Sequence, residues 1–215
     1  MTVIAIDGPA GAGKSSVAQA VASALGFRYV DTGAMYRRIA LAMLERGIDP
    51  SDQEAVEALA AQVAPTLISG RTEDRATGLR DPGVGTAASV VARYPGVRRA
   101  LAARQREVAN SGDVVMEGRD IGTVIAPEAE VKLFLTAARP VRAKRRQEQL
   151  ALPPDEATIA DIEKAMAARD HADSVRPDSP LKPAPDAVQI DSSDRDLVAV
   201  VNEVLHIVRE RLGHR

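Results

Sequence analysis

The 215-residue chain contains no cysteine, which excludes disulfides and thiolate metal sites and agrees with a reducing cytoplasm. Its three histidines, His171, His206 and His214, are scattered and form no metal-ligand spacing. No run of about eighteen apolar residues is long enough to span a bilayer. The chain enters a strand at Val3 without a basic or apolar leader, so neither export nor membrane anchorage is expected. An excess of one charge is lacking too. The formal net charge is −2, so no overall basic field recruits nucleic acid or an anionic membrane, and any anion binding must come from local clusters. Lysine is scarce: five lysines leave 23 arginines among the 28 basic residues. That bias either supplies bidentate donors for phosphate or reflects codon preference, and the positions of the arginines decide between the two.

What is present is an ordinary globular composition, 45% hydrophobic and 27% charged. The length suits one α/β domain with insertions. At its start, Val3-Ile4-Ala5-Ile6-Asp7 reads as a buried strand. Gly8-Pro9-Ala10-Gly11-Ala12-Gly13-Lys14-Ser15-Ser16 follows, and an apolar-periodic run from Val17 to Leu25 continues as a helix. This is the G-x-x-x-x-G-K-[ST] pattern in the strand–loop–helix setting that gives it meaning. Glycines let successive N–H groups face a triphosphate, and the helix start adds unsatisfied N–H groups and the positive end of its dipole. Lys14 supplies a point charge for the β- and γ-phosphates. The Ser15 hydroxyl offers a ligand to Mg²⁺, an ion that keeps most of its waters.

Further along, Phe27 to Val30 reads as a second strand, and Asp31-Thr32-Gly33 as a turn capping a helix from about Ala34 to Glu45. Another helix follows Ser51 until Pro65 interrupts it. From about Thr66 to Gly85 the character changes to a small β-type insertion or mobile lobe, with Asp81-Pro82-Gly83 forming a turn. Helix returns from Thr86 to Asn110, split at Tyr94-Pro95-Gly96. Val114 to Met116 and Val131 to Leu135 read as strands, and Arg142 to Gln149 and Glu156 to Asp170 as helices. Val188 to Ile190 reads as a last strand, with Asp191 to Asp194 capping a final helix from Leu197 to Leu212. Strands alternating with helices predict a parallel sheet covered on both faces, with the ligand at the carboxyl ends of the strands.

The arginines follow that edge. Arg37 lies one turn into the second helix, Arg119 directly after the third strand, and Arg142, Arg145 and Arg146 after the fourth. The last three share one helix face, where they either close over a polyphosphate or form a solvated face paired with Glu148. Arg169 and Arg176, seven residues apart, would face the same way on a continuing helix. Glu117 and Asp120 flank Arg119; one carboxylate orients a Mg²⁺ water or pairs with Lys14, or else bridges locally to Arg119. A hydroxyl acceptor requires a carboxylate base near the γ-phosphate, whereas a phosphate acceptor requires cations that cancel its repulsion with the donor. Arginines outnumber unpaired candidate bases, which favours a phosphate acceptor. A GTPase would carry N-K-x-D and D-x-x-G motifs, and neither is present.

Four segments then form a recognisable set: IDGPAGAGKSS at Ile6 to Ser16, DTGAMYR at Asp31 to Arg37, EGRDIGTV at Glu117 to Val124, and RDHADSVR at Arg169 to Arg176. With Ala87-Ala88-Ser89 and the stretch from Pro95 to Arg98, they closely resemble the bacterial cytidylate kinases over nearly the whole chain. The resemblance implies an α/β P-loop kinase fold with a monophosphate-binding lobe, a small insertion at about 64–86 and a basic lid at about 142–158, in a single domain over 1–215. It implies transfer of the ATP γ-phosphoryl group to CMP or dCMP with Mg²⁺, in a cytoplasmic monomer. ATP and CMP or dCMP would be the partners, with no nucleic acid, membrane or obligate protein partner.

Carried over residue by residue, Gly8 to Ser16 would bind ATP under a lid bearing Arg142, Arg145 and Arg146. Arg37 and Arg119 would hold the acceptor phosphate, and Lys14 would bridge donor and acceptor. Ser89, Arg98 and Asp120 would read the cytosine edge with help from Arg176. Arg169 and Asp173 would contact the sugar, with Arg169 also among the catalytic groups, and Thr32 and Tyr36 would belong to the acceptor site. Thr32 stands where some members have serine, and Ala172 and Ser174 where some have arginines. Two other readings stay open at this stage: a P-loop kinase of a small hydroxyl metabolite such as shikimate, and an ATP-sensing module without turnover.

Overall fold

A computed structural model describes residues 1–67, 78–79 and 81–213. Five parallel strands form one sheet in the order β2-β3-β1-β4-β5. They are β1 (Val3–Asp7), β2 (Arg28–Asp31), β3 (Val114–Gly118), β4 (Val131–Thr136) and β5 (Val188–Asp191). The central strand β1 pairs with β3 from Val3↔Val114 to Asp7↔Gly118, and with β4 from Ile4↔Val131 to Asp7↔Phe134. Every residue of β1 and β3 is buried, as expected of strands covered on both faces.

The alternation of side chains divides the core. Ile4, Ile6, Val115, Leu133 and Leu135 pack with α1 (Lys14–Leu25) and α8 (Leu197–Gly213) on one face. Val3, Ala5, Val114 and Met116 pack on the other, with Val108 and Ala109 of α5 (Pro95–Ala109) and with Ile121 and Ile125. A second core lies beside the sheet, where α2 (Thr32–Glu45), α3 (Gln53–Val63), α4 (Pro82–Val91) and α5 bury Met35, Ile39, Met43, Leu59, Val84, Val91 and Leu101. Two further helices, α6 (Arg139–Gln149) and α7 (Glu156–Ser174), pack on each other after β4.

The structure changes several sequence expectations. Asp81-Pro82-Gly83 begins α4 instead of making a separate turn: Asp81 accepts the Gly83 N–H at 2.7 Å, and Pro82 occupies the first helical position, where its missing N–H costs nothing. The β-type insertion expected from Thr66 to Gly85 falls largely on residues 68–77 and 80, outside the described residues. Its edges are a 3₁₀ turn, Ala64–Thr66, and the start of α4. Asp196 caps α8, accepting the Ala199 N–H at 2.7 Å, while Asp191 instead holds Ser193 at 2.8 Å within the preceding turn. Helix α7 continues four residues beyond Asp170 but ends at Ser174, so Arg169 and Asp173 share one helix while Arg176 lies beyond its end and the shared helical face expected for Arg169 and Arg176 does not form.

Because all five strands run the same way, Asp7, Asp31, Glu117, Thr136 and Asp191 reach one common edge of the sheet.

Candidate active site

The loop after β1 is shaped by glycine where no side chain fits. A Cβ on Gly8 would lie 2.0 Å from the Leu135 carbonyl oxygen, and Gly13 caps α1 at φ 90°, in the left-handed region. Lys14 folds back over the loop and donates to the Pro9 carbonyl at 2.7 Å. Ser15 and Ser16 are exposed at its mouth. The rim is braced from other elements. Ser192, after β5, donates to Ala12 O at 3.1 Å and accepts from Arg145 at 2.9 Å. Arg142 donates to Ala10 O at 3.1 Å, to Ala137 O at 2.9 Å and to the Asp170 carboxylate. Arg142 and Arg145 therefore lie against the phosphate loop and not on a solvated face. Arg146 turns the other way, toward Gly85 and the charge of Arg37.

Beside this loop lies a group of cations from three distant parts of the chain. Burial, and next the Arg119 guanidinium, hold Lys14 well below the ordinary lysine value, with Arg169 adding to the effect. Burial and then Arg119 likewise lower Arg169 to about 10, and Arg146 and Arg37 push in the same direction. Arg37 donates to Asp31 at 2.7 Å, the carboxylate that also caps α2 through Ala34 N–H at 3.0 Å. Arg119 donates to Asp173 at 3.3 Å, and Arg176 lies 3.4 Å from the other oxygen of the same carboxylate. Arg119 thus bridges to Asp173 and not to its sequence neighbours Glu117 or Asp120. Arg169 makes no ion pair among the described residues. The Nε–H groups of Arg37, Arg98, Arg169 and Arg176 are all buried without an acceptor.

A second polar cluster is built on α5 and the segment after β3. Arg98 and Asp120 form a buried pair at 2.6 Å, and the Arg98 guanidinium stacks over the Tyr36 ring at 5.9 Å. Arg176 and Asp173 are close enough to perturb the Tyr36 hydroxyl, which burial pushes up to about 12. Ser89 shares this lobe, with its hydroxyl bonded to Gly85 O at 3.1 Å. The Thr32 hydroxyl is committed to structure: it is buried and donates to the Glu117 carbonyl at 2.7 Å, tying α2 to β3.

Three further residues at this edge, Tyr29, Ser192 and Asp7, belong to none of the sequence-predicted site positions. The Tyr29 hydroxyl donates to the Glu117 carboxylate, which burial and then the Asp31 charge push above its usual range; the Ser15 hydroxyl also bonds to this carboxylate. Ser192 braces the loop. Asp7, whose carboxyl burial pushes up to about 6, accepts two peptide N–H groups after β3. Position was the available clue for Asp7 and Ser192, which end β1 and directly follow β5; Tyr29 is the second residue of β2 and reaches Glu117 only through its side chain.

Ser15 and Glu117 offer only oxygen. No cluster of three His, Cys, Asp or Glu side chains occurs among the described residues. That sparse oxygen set fits Mg²⁺ arriving with a nucleotide, because this ion draws most of its ligands from phosphate and water.

The family model for cytidylate kinase matches residues 4–210. A cytidylate kinase of Solibacter usitatus is 48% identical over 216 residues, covering 98% of this chain and 93% of that protein. One from Mycolicibacterium paratuberculosis is 47% identical, covering 97% and 96%. A bifunctional pantoate ligase/cytidylate kinase of Synechococcus is 45% identical over 98% of this chain but only 41% of its own length. Among solved structures, a gluconokinase from Sinorhizobium meliloti superposes with a TM-score of 0.51 at 19% identity, covering 99% of this chain and 94% of its own. A shikimate kinase from Acinetobacter baumannii superposes with 0.50 at 14%, covering 98% and 94%. These two share the fold.

Proposed function

This chain belongs to the cytidylate kinase family, and we propose that its site transfers the γ-phosphoryl group of ATP to CMP or dCMP, giving ADP and CDP or dCDP. One observation carries the reading of the site: Arg37 and Arg169 in the cation group beside the phosphate loop, and Arg98 and Arg176 in the neighbouring Tyr36–Asp120 cluster, hold buried Nε–H groups without acceptors. A buried donor left unpaired costs about 1–3 kcal/mol. Several together are retained where a ligand brings the acceptors, and an anion satisfies both their charge and their hydrogen bonds.

The loop from Gly8 to Ser16 takes the triphosphate, and Lys14 reaches between donor and acceptor phosphates. Arg37, Arg119 and Arg169 receive the acceptor phosphate and cancel the repulsion that keeps two anions apart. Mg²⁺ would be held by the Ser15 hydroxyl with Glu117 in reach, neutralising charge on the β- and γ-phosphate oxygens. Arg169 and Asp173 contact the sugar. Segment 142–158 acts as a lid whose closure keeps water from the γ-phosphoryl group.

The Arg98–Asp120 pair reads the base, with Arg176 in support. Asp120 accepts from the cytosine amine, while Arg98 and Ser89 donate to N3 and O2. Uracil would set its O4 against the carboxylate, acceptor to acceptor, at a cost of about 1–3 kcal/mol. A hydroxyl acceptor fits poorly. Asp31 is engaged by Arg37, Asp173 by Arg119 and Arg176, Asp120 by Arg98, and Glu117 by Tyr29, so no carboxylate among them stands ready as a base. No helix among the described residues is long and apolar enough to cross a membrane. The reading places a monomer in the cytoplasm with these nucleotides as its partners.

ADP release with ATP and CMP, dCMP, UMP, AMP or shikimate tests this. The expected result is fast turnover of CMP and dCMP, weak turnover of UMP and none of shikimate. Turnover of shikimate alone, or of no acceptor at all, overturns it.

A further inference from the structure

One buried carboxylate has no part in that scheme and sits where the two halves of the site meet. Asp7 closes β1, precedes Gly8, and faces Gly118 across the parallel ladder; it is 4% exposed. Its Oδ1 accepts the Ile121 N–H at 2.9 Å and its Oδ2 accepts the Gly122 N–H at 2.8 Å. These peptides open a single π-helical turn, Ile121–Ile125, whose flanking residue Asp120 makes no capping bond itself. The first N–H groups of a helical turn have no partner within it, and Ile121 and Gly122 are both buried. Asp7 supplies the missing acceptors from another strand.

The consequence falls on Asp120. Two adjacent peptide planes clamped by one carboxylate set the direction in which the preceding residue projects its side chain. That residue is the one paired with Arg98 at 2.6 Å. Gly122 sits close beneath the clamp, where an added Cβ would come 3.5 Å from the Asp7 Oδ2 and 3.3 Å from the Lys132 stem. Each Asp7 oxygen accepts one peptide N–H and the side chain is buried, which directs the carboxylate to the backbone of the following turn. Lys14 and Asp120 are the charged groups acting on it, with opposite effects.

We propose that Asp7 is a positioning residue for the acceptor: from the strand that leads into the phosphate loop, it clamps the Ile121 and Gly122 peptides and so aims the Asp120–Arg98 pair at the base. This rests on Arg98 and Asp120 reading the base.

Asp7→Asn tests it with almost no change of volume. The amide keeps one acceptor but turns its NH₂ toward the second peptide N–H, donor against donor. The KM for CMP should rise about tenfold, with kcat changing less and the CMP-to-UMP ratio of kcat/KM narrowing about tenfold. The Kd of a non-hydrolysable ATP analogue should stay within about twofold. In an Asp120→Asn background the same substitution should add less than about twofold, since both changes act on one group. A wild-type enzyme that treats CMP and UMP alike defeats the base reading and this proposal together. A selective wild type whose Asp7→Asn form stays equally selective defeats the clamp alone, as does equal weakening of CMP and the analogue. If Asp7→Asn melts without cooperativity, amide exchange in the wild-type enzyme decides. Slow exchange at Ile121 and Gly122, slowed further by CMP but not by the analogue, supports the clamp, and fast exchange overturns it.

Discussion

Lys14 is held in surroundings that oppose the charge its task requires. Burial dominates and the Arg119 charge adds to it, bringing the ammonium down to about 7. In the proposed site, phosphate oxygens would reverse both effects by replacing lost hydration and screening Arg119, and nucleotide binding would carry a proton onto Lys14. Binding of a non-hydrolysable ATP analogue should therefore take up about one proton near pH 8, where the free lysine is mostly neutral, and almost none near pH 6, where it is already charged. Titration calorimetry in buffers of different ionisation enthalpy measures this, and equal uptake at both pH values would contradict it. The arginines divide by surroundings, and in the proposed site by task. Arg119 lies within the electrostatic reach of Lys14 and Arg169, while Arg98 is stacked on Tyr36 and paired with Asp120. Arg119→Ala should therefore lower kcat by about a hundredfold or more, and Arg98→Ala should act mainly on the KM for CMP, because charge at the transferring group matters most in the transition state. Steady-state kinetics in which Arg98→Ala has the larger kcat defect would refute this division. Tyr29 and Ser192 were illegible as site residues because a lone tyrosine in a strand or a serine after one has no distinctive spacing; only their bonds to Glu117 and to Ala12 O reveal them.

At the scale of elements, the phosphate loop, the strand ends and the basic helix were legible because each depends on local chemistry: glycine conformations, β-branched runs, and charges three and four residues apart. Where α4 begins was not legible in the same way. Asp-Pro-Gly suits a turn as well as a helix start, and the choice depends on Val84 and Val91 finding a core to bury in. Helix α5 contributes to the helical core and also carries Arg98. Leu101 is fully buried among Met35, Ile39 and Val97, and Arg98 lies one turn before it. Leu101→Ala should destabilise the protein by about 2–5 kcal/mol in urea unfolding. Well below the midpoint, CMP affinity should suffer more than ATP-analogue affinity, because the cavity lies in the helix that carries Arg98 and not beneath the phosphate loop. Equal loss of both would show that the two cores are not mechanically separate.

The whole molecule consists of a sheet with a core on each face and a helical lobe with its own, and the site lies along the edge where they meet. The sequence by itself determined the parallel α/β class, the phosphate loop and the identity of the charged residues, since these rest on periodicity and on motifs short enough to be read along the chain. Which cation meets which carboxylate was decided only by the tertiary structure. Arg119 reaches 54 positions along to Asp173, Arg98 reaches Asp120 from another helix, and Arg142 turns inward to Ala10 and Asp170. The physical reason is that ion pairs and hydrogen bonds act over a few ångströms in space. Strand order in a parallel sheet sets those distances, and spacing along the chain does not.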